Sequence, residues 1–155
     1  MATITAAQVK ELRDATAVSM MECKKALQET DGNMEAATRL LRERGMAVAA
    51  KRASKATNQG IIASDKSEDG TTVGLVEVNC ETDFVARNDD FKAFVEVVSD
   101  KALETDEALS EVMHDALMDQ IAAIGENMKI RRNVRYTLQG TGRLGSYIHM
   151  GGKVG

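Results

Sequence analysis

Apolar residues recur at helical spacing over the first 45 positions. Thr5 and Gln8 stand one turn apart ahead of Val9 and Leu12, the pattern of a reciprocally capped helix start. Ser19 and Glu22 repeat the pair, and the helix they open would carry Met20, Cys23, Lys24 and Leu27 along one side. Asp31-Gly32 is a turn signal, and Asn33 can cap a third helix with Ala36, Ala37, Leu40 and Leu41 inward. Gly45, following Arg42 and Arg44, reads as a stop, because a basic last turn and then glycine suit a helix C-terminus. The spacing thus predicts three helices within 4–15, 19–30 and 33–45, a module that buries little apolar surface by itself.

The pattern changes over 46–58. Met46 to Lys55 is alanine-rich and basic, then turns polar at Thr57-Asn58, which predicts a frayed helix serving as a linker. Ile61-Ile62-Ala63 and Val73 to Val78 are short apolar runs flanking Asp69-Gly70, a hairpin signal. Asn88 can cap a helix whose Phe91, Phe94, Val95, Val98 and Ala102 form an amphipathic stripe. Thr105 can cap another, carrying Leu109, Val112, Met113, Ala116, Leu117, Ile121 and Ile124 and ended by Gly125. Alternation from Ile130 to Leu138 predicts a strand. Strands are therefore expected near 60–64, 71–79 and 129–138, making the second module α+β. A glycine-rich stretch follows, with a short strand expected from Leu144 to His149. The chain stops as if entering a further strand, so a fragment of a longer protein is expected.

Composition narrows the chemistry. The chain has 155 residues, 43% hydrophobic and 28% charged, a globular profile. No apolar run approaches the ~20 residues that span a bilayer, and the first ten residues lack the apolar stretch of a signal peptide. Cys23 and Cys80 stand far apart with no metal or redox spacing. A cytoplasmic address with reduced thiols, and no membrane partner, is the expectation. A net charge of -4, no tryptophan, two tyrosines and three phenylalanines leave little for base stacking.

Catalytic patterns are missing. Gly151-Gly152-Lys153 lacks the context and the following Ser or Thr of a phosphate loop, so no direct nucleotide binding is expected. Two Cys and two His scattered along the chain give no zinc spacing. A Cys80 pair with His114 or His149 would need spatial contact to act as a nucleophile. Asp89, Asp90 and Glu96 read more simply as acids at a helix N-terminus than as a metal cluster. Neither enzyme, cofactor nor metal is expected.

Two features remain. The run Val76-Glu77-Val78-Asn79-Cys80 leads into Glu81-Thr82-Asp83-Phe84-Val85-Ala86-Arg87 before the Asn88 helix. A Phe in so short a connection is usually tucked into its own core, and spacing alone favours that reading. The alternative is an aromatic wedge presented outward beside a carboxylate, which is costly unless a partner receives it. Met20-Met21 has the same double reading: successive helical residues point ~100° apart, and both are hard to bury in a thin module. Lys10, Arg13, Lys24 and Lys25 lie near them in sequence and read as a solvated face.

Several segments resemble the bacterial elongation factor Ts family. Leu12-Arg13 through Met20-Met21-Glu22-Cys23-Lys24-Lys25-Ala26-Leu27 is similar to its N-terminal signature, and Glu77 through Arg87 to its second. Gly125-Glu126-Asn127 with Ile130-Arg131-Arg132, and Gly145-Ser146-Tyr147-Ile148-His149, match in order. The resemblance covers essentially the whole chain. It implies a three-helix module like ubiquitin-associated domains at 1–45, a basic helical linker at 46–58, and a first α+β core subdomain at 59–139 with a small antiparallel sheet and two helices. The start of a truncated second core subdomain would occupy 140–155, and a helical dimerisation hairpin would be missing. Departures are Ala17-Val18-Ser19 where the family usually has a glycine turn, Glu22 for Asp, Glu81 for Gln, and a longer loop from Ser64 to Gly70.

The resemblance further implies guanine nucleotide exchange on elongation factor Tu in its nucleotide-free or GDP form. Thr82, Asp83, Phe84 and Val85 would be the exchange wedge, inserted near the Mg²⁺ site of the GTPase. Lys10, Arg13, Met20 and Met21 would grip another helix of its GTP-binding domain. Gly145, Ser146, Tyr147 and His149 would lean on a different domain. A fragment of this kind is expected to bind and exchange weakly. Two other readings stand beside it. A nucleic-acid binder would use the basic strand 129–135, with Lys129, Arg131, Arg132 and Arg135, and would show salt-dependent RNA binding. A ubiquitin-like-binding adaptor would use the first module alone and leave Asp83-Phe84 unexplained.

Overall fold

Thr5 starts the first helix as its spacing predicts. In the computed structural model, which describes residues 3–155, the chain forms two compact units. The first comprises residues 3–54 with Met118–Glu126; the second comprises Lys55–Leu117 with Asn127–Gly155.

In the first unit, helix α1 (Ala6–Thr16) has a complete capping box: Thr5 Oγ1 accepts from the Gln8 N–H and Gln8 Oε1 accepts from the Thr5 N–H. It ends at Ala17, whose φ of 54° is left-handed, and the Ala17 N–H closes the last turn on the Arg13 carbonyl. Helix α2 (Met20–Glu29) is capped by Ser19 and buries Cys23, Ala26 and Leu27. Of the four residues expected along one side, Cys23 and Leu27 are buried while Met20 and Lys24 are exposed. Asp31 and Gly32 turn the chain with φ of 49° and 83°. Helix α3 (Met34–Arg52) is capped by Asn33 and buries Ala37 and Leu41 against Val9, Leu12, Cys23, Ala26 and Leu27.

Gly45 does not stop this helix. α3 runs through it to Arg52, so the expected boundary at residue 45 falls inside one helix. A Cβ at Gly45 would stand 2.3 Å from the Ala122 Cβ, so the glycine permits a close helix crossing. Ala122 belongs to a helix remote in sequence, His114–Ile124, whose residues from Met118 group with this unit. Arg42 fixes the same helix by a forked pair to Asp119, Nε and Nη2 at 3.2 and 3.0 Å.

The second unit is a three-stranded antiparallel sheet in the order β1 (Gln59–Lys66), β2 (Thr72–Cys80), β3 (Met128–Thr137). The Asp69-Gly70 hairpin forms: the Asp69 carboxylate accepts from the Ser67 and Thr71 hydroxyls and from the Thr71 N–H. One face of the sheet is covered by α5 (Asp89–Lys101), which follows a short helix α4 (Asp83–Arg87). Phe91, Phe94, Val95 and Val98 of α5 are buried, as are Val76, Val78 and Cys80 of β2. Gly74 allows the approach, since a Cβ there would stand 2.8 Å from the Ala102 Cβ.

Three expectations are corrected here. The helix expected from Thr105 breaks at Met113 into α6 (Leu109–Val112) and α7 (His114–Ile124), and Thr105 bonds only to the Glu107 N–H. The start of α6 is satisfied from β3 instead, with Asn133 Oδ1 accepting from the Leu109 N–H at 2.9 Å. In β3 the alternation is interrupted: Glu77 pairs with Arg132 and Val78 with Ile130, so Arg131 is an extra residue, a β-bulge. Ile130 is buried on the helix side and, past the bulge, Asn133 and Arg135 take that side. Leu144 to His149 forms no strand; a single bridge joins His149 and Val154, and the Ile62 N–H donates to the Gly152 carbonyl at 2.7 Å.

Candidate functional site

The connection from β2 to α5 is a braced helical turn. The Thr82 hydroxyl caps α4 by accepting from the Val85 N–H at 3.3 Å, and its carbonyl accepts from the Ala86 N–H at 3.2 Å. The Cys80 thiol, buried at the end of β2, donates to the same carbonyl. The Asn88 N–H closes the turn on the Val85 carbonyl, while Asn88 Oδ1 accepts from Asp90 and Phe91 N–H groups to start α5. Ala86 is buried beneath the turn and Val85 is half-buried. Asp83 and Arg87, one turn apart, pair at 3.0 Å.

This bracing aims Phe84 outward. Its side chain is 80% exposed, whereas Phe91 is 0% and Phe94 8% exposed. The core placement that spacing alone favoured for Phe84 is not adopted: Ala86 and Phe91 are buried, and the Phe84 ring points outward.

The other residues singled out lie as follows. Met20 and Met21 are 47% and 64% exposed at the start of α2, and Lys10 and Arg13 are exposed on α1. Tyr147 and His149 stack at 5.7 Å with the Tyr147 hydroxyl 3.0 Å from His149 Nδ1. Ser146 meets the Ser64 hydroxyl at 3.0 Å, and Gly145 is exposed.

The basic strand is not an open cationic stripe. Arg131 and Arg132 both donate to Glu77, at 2.9 and 2.7 Å, and Arg135 forks onto Asp106. Burial alone would raise the Glu77 carboxyl. The hydrogen bonds from Arg131, Arg132 and Asn79 outweigh it and hold the group below the ordinary glutamate value. Those pairings offset the charge on which nucleic-acid binding would rest.

Among the described residues, no cluster of three His, Cys, Asp or Glu could hold a metal ion, and no helix is long and apolar enough to cross a membrane. A groove of about 350 Å³ is lined by Ile62, Leu75, Val134, Tyr136 and Gly155.

The chain thus comprises a helical unit and a small α+β unit, the latter with the Phe84 side chain held outside its core. The family model described as elongation factor TS matches residues 81–155. The relatives called elongation factor Ts from Trichlorobacter lovleyi and Clostridioides difficile are 46% and 45% identical over 98% and 100% of this chain. That of Nitratidesulfovibrio vulgaris is 44% identical over 97%. The chain belongs to the elongation factor Ts family. It spans 53%, 54% and 52% of those three relatives, about half the length of each.

Proposed function

We propose that this chain acts in translation elongation as a guanine nucleotide exchange factor for elongation factor Tu, in the cytoplasm, with Asp83-Phe84 as its wedge. The observation that carries the reading is the 80% exposed Phe84 ring on a turn whose other residues are capped, paired or buried. An apolar ring held in water gains roughly 1.5–3 kcal/mol when a pocket receives it. The turn is already ordered, so little of that gain goes into fixing the backbone.

The physics of exchange needs no contact with the nucleotide. A GTPase holds a nucleoside diphosphate through a phosphate loop and a Mg²⁺ ion. A factor that binds the empty form better than the filled one weakens the nucleotide by the same factor that the nucleotide weakens it. Phe84 would push between neighbouring helices of the GTPase. Asp83, released from Arg87, would disturb groups that support the ion. Thr82 holds the turn, and Val85 would contribute at its edge. Lys10, Arg13, Met20 and Met21 would grip a second helix of the GTP-binding domain, and Gly145, Ser146, Tyr147 and His149 a different domain. The preferred partner is the nucleotide-free or GDP form. The reading requires no nucleotide, nucleic acid or membrane bound directly.

Release of labelled GDP from elongation factor Tu, with and without the chain, tests this. The chain should accelerate release, and Phe84→Ala should remove most of the acceleration while leaving thermal unfolding unchanged. Acceleration that survives the substitution would refute the wedge.

A further inference from the structure

Two polar side chains are buried among the described residues, Ser99 and Asn127. Ser99 is accounted for within its own helix, where its hydroxyl donates to the Glu96 carbonyl at 2.9 Å. Asn127, 3% exposed, instead ties together segments far apart in sequence. Its side-chain Nδ2 donates to the Lys55 carbonyl at 2.8 Å, and its backbone N–H donates to Glu81 Oε1 at 2.6 Å. An amide is buried without loss only when such bonds are made.

Glu81 stands immediately before Thr82, the residue whose hydroxyl and carbonyl launch α4. α4 has five residues, fewer than a helix needs to persist on its own. Its direction must therefore be imposed from behind. The carboxylate of Glu81, docked on Asn127, supplies that constraint on one side, as the Cys80 thiol does at the Thr82 carbonyl.

We propose that Glu81 and Asn127 are positioning residues for the Phe84 wedge: their bond fixes the angle at which the chain leaves β2, and so the direction of the ring. The pair acts through the turn and does not itself meet the partner. This deepens the exchange reading and rests on it.

The test uses the full chain with Glu81→Ala, Glu81→Gln and Asn127→Ala. Amide hydrogen exchange is followed at Val85 and Ala86, and labelled GDP release from elongation factor Tu is followed in the wild-type and Phe84→Ala backgrounds. Glu81→Ala is expected to speed amide exchange at Val85 and Ala86 roughly tenfold while amides of β2 change less than about twofold. GDP release should fall about fivefold in the wild-type background and hardly at all once Phe84 is gone, because residues acting as one unit are non-additive. Glu81→Gln should restore both, since its amide oxygen accepts the same N–H. Asn127→Ala keeps the backbone N–H that Glu81 accepts and loses the Nδ2–Lys55 anchor, so it should shift both readouts in the same direction by less than Glu81→Ala; should it fail to fold, the Glu81 pair still decides. Unchanged protection at Val85 and Ala86, an equal loss in the Phe84→Ala background, or no restoration by Gln would each overturn the proposal. If the unaltered chain fails to accelerate GDP release, the exchange reading falls, and the protection at Val85 and Ala86 alone decides the clamp.

Discussion

Phe84 and Tyr147 are the most exposed aromatic side chains among the described residues, at 80% and 71%, and they are held in opposite ways. Phe84 rides on a turn with a cap at each end, a buried Ala86 and the Glu81–Asn127 bond behind it. Tyr147 lies in irregular chain, stacked on His149, and its segment reaches β1 through Ser64–Ser146, Ile62–Gly152 and Lys153 contacts. A ring on a pre-ordered turn suits a pocket of fixed shape, whereas a ring on a loosely tethered loop suits a surface to which it must adjust. Exposure alone does not distinguish the two; what lies behind the ring does.

The largest effect should come from exchanging which phenylalanine is removed. Phe91→Ala should cost about 3–5 kcal/mol in denaturant unfolding, because it empties a fully buried site. Phe84→Ala should leave stability nearly unchanged and lower exchange activity about tenfold or more. A large stability loss at Phe84 would erase the contrast between braced turn and core.

Gly152 probes the other side. It has φ of 89°, and a Cβ there would stand 2.8 Å from both the Ile61 Cβ and the Ile62 carbonyl oxygen. Gly152→Ala should cost about 1–3 kcal/mol locally and loosen 146–155, read as faster amide exchange at Ile62. Protection at Val85 and Ala86 should not change.

Ala17 gives the converse test in the helical unit, being a non-glycine residue at φ 54°. Ala17→Gly should raise stability by about 1 kcal/mol, measured by the denaturation midpoint at constant slope. No gain would show that the turn is unstrained.

The smallest effect concerns acid. Glu77 has a folded-state pKa below its unfolded value, so its stabilisation is present above the unfolded value and is lost as pH falls through the folded one. Wild type should lose more stability than Glu77→Gln on going below about pH 4. Equal losses in unfolding titrations at neutral and acid pH would remove the Arg131–Glu77–Arg132 cluster as a support of the sheet.

Much of this was legible because it is local. Thr5, Ser19, Asn33 and Asn88 cap helices through bonds that reach no further than the next turn, and the sheet strands announce themselves by alternation and by the Asp69-Gly70 turn. The misreadings all depend on a distant partner. Gly45 has the chemistry of a helix stop, but Ala122, 77 residues away like the related Arg42–Asp119 pair, makes it a crossing point. The start of α6 is satisfied by Asn133 rather than by Thr105, a substitution no local pattern reveals. The direction of Phe84 was open for the same reason: Asn127, which holds the turn from behind, lies beyond α7 in the chain. Leu144 to His149 has strand composition, yet its main-chain partner is a turn at Gly152 and not a neighbouring strand.

The extra residue at Arg131 works as a change of phase in a two-beat rhythm. Before it, even positions such as Met128 and Ile130 point toward the helices; after it, odd positions such as Asn133 and Arg135 do. Two functions are thereby written on one strand: an apolar half that seals the core, and a polar half that holds the loop and start of α6 through Asn133–Leu109 and Arg135–Asp106. Were Arg131 instead to pair with Glu77 in regular register, every later side chain would stay intact in identity but turn to the wrong face, with Val134 and Tyr136 toward the helices and the anchors Asn133 and Arg135 in solvent. For this strand, the register carries as much information as the kind of residue.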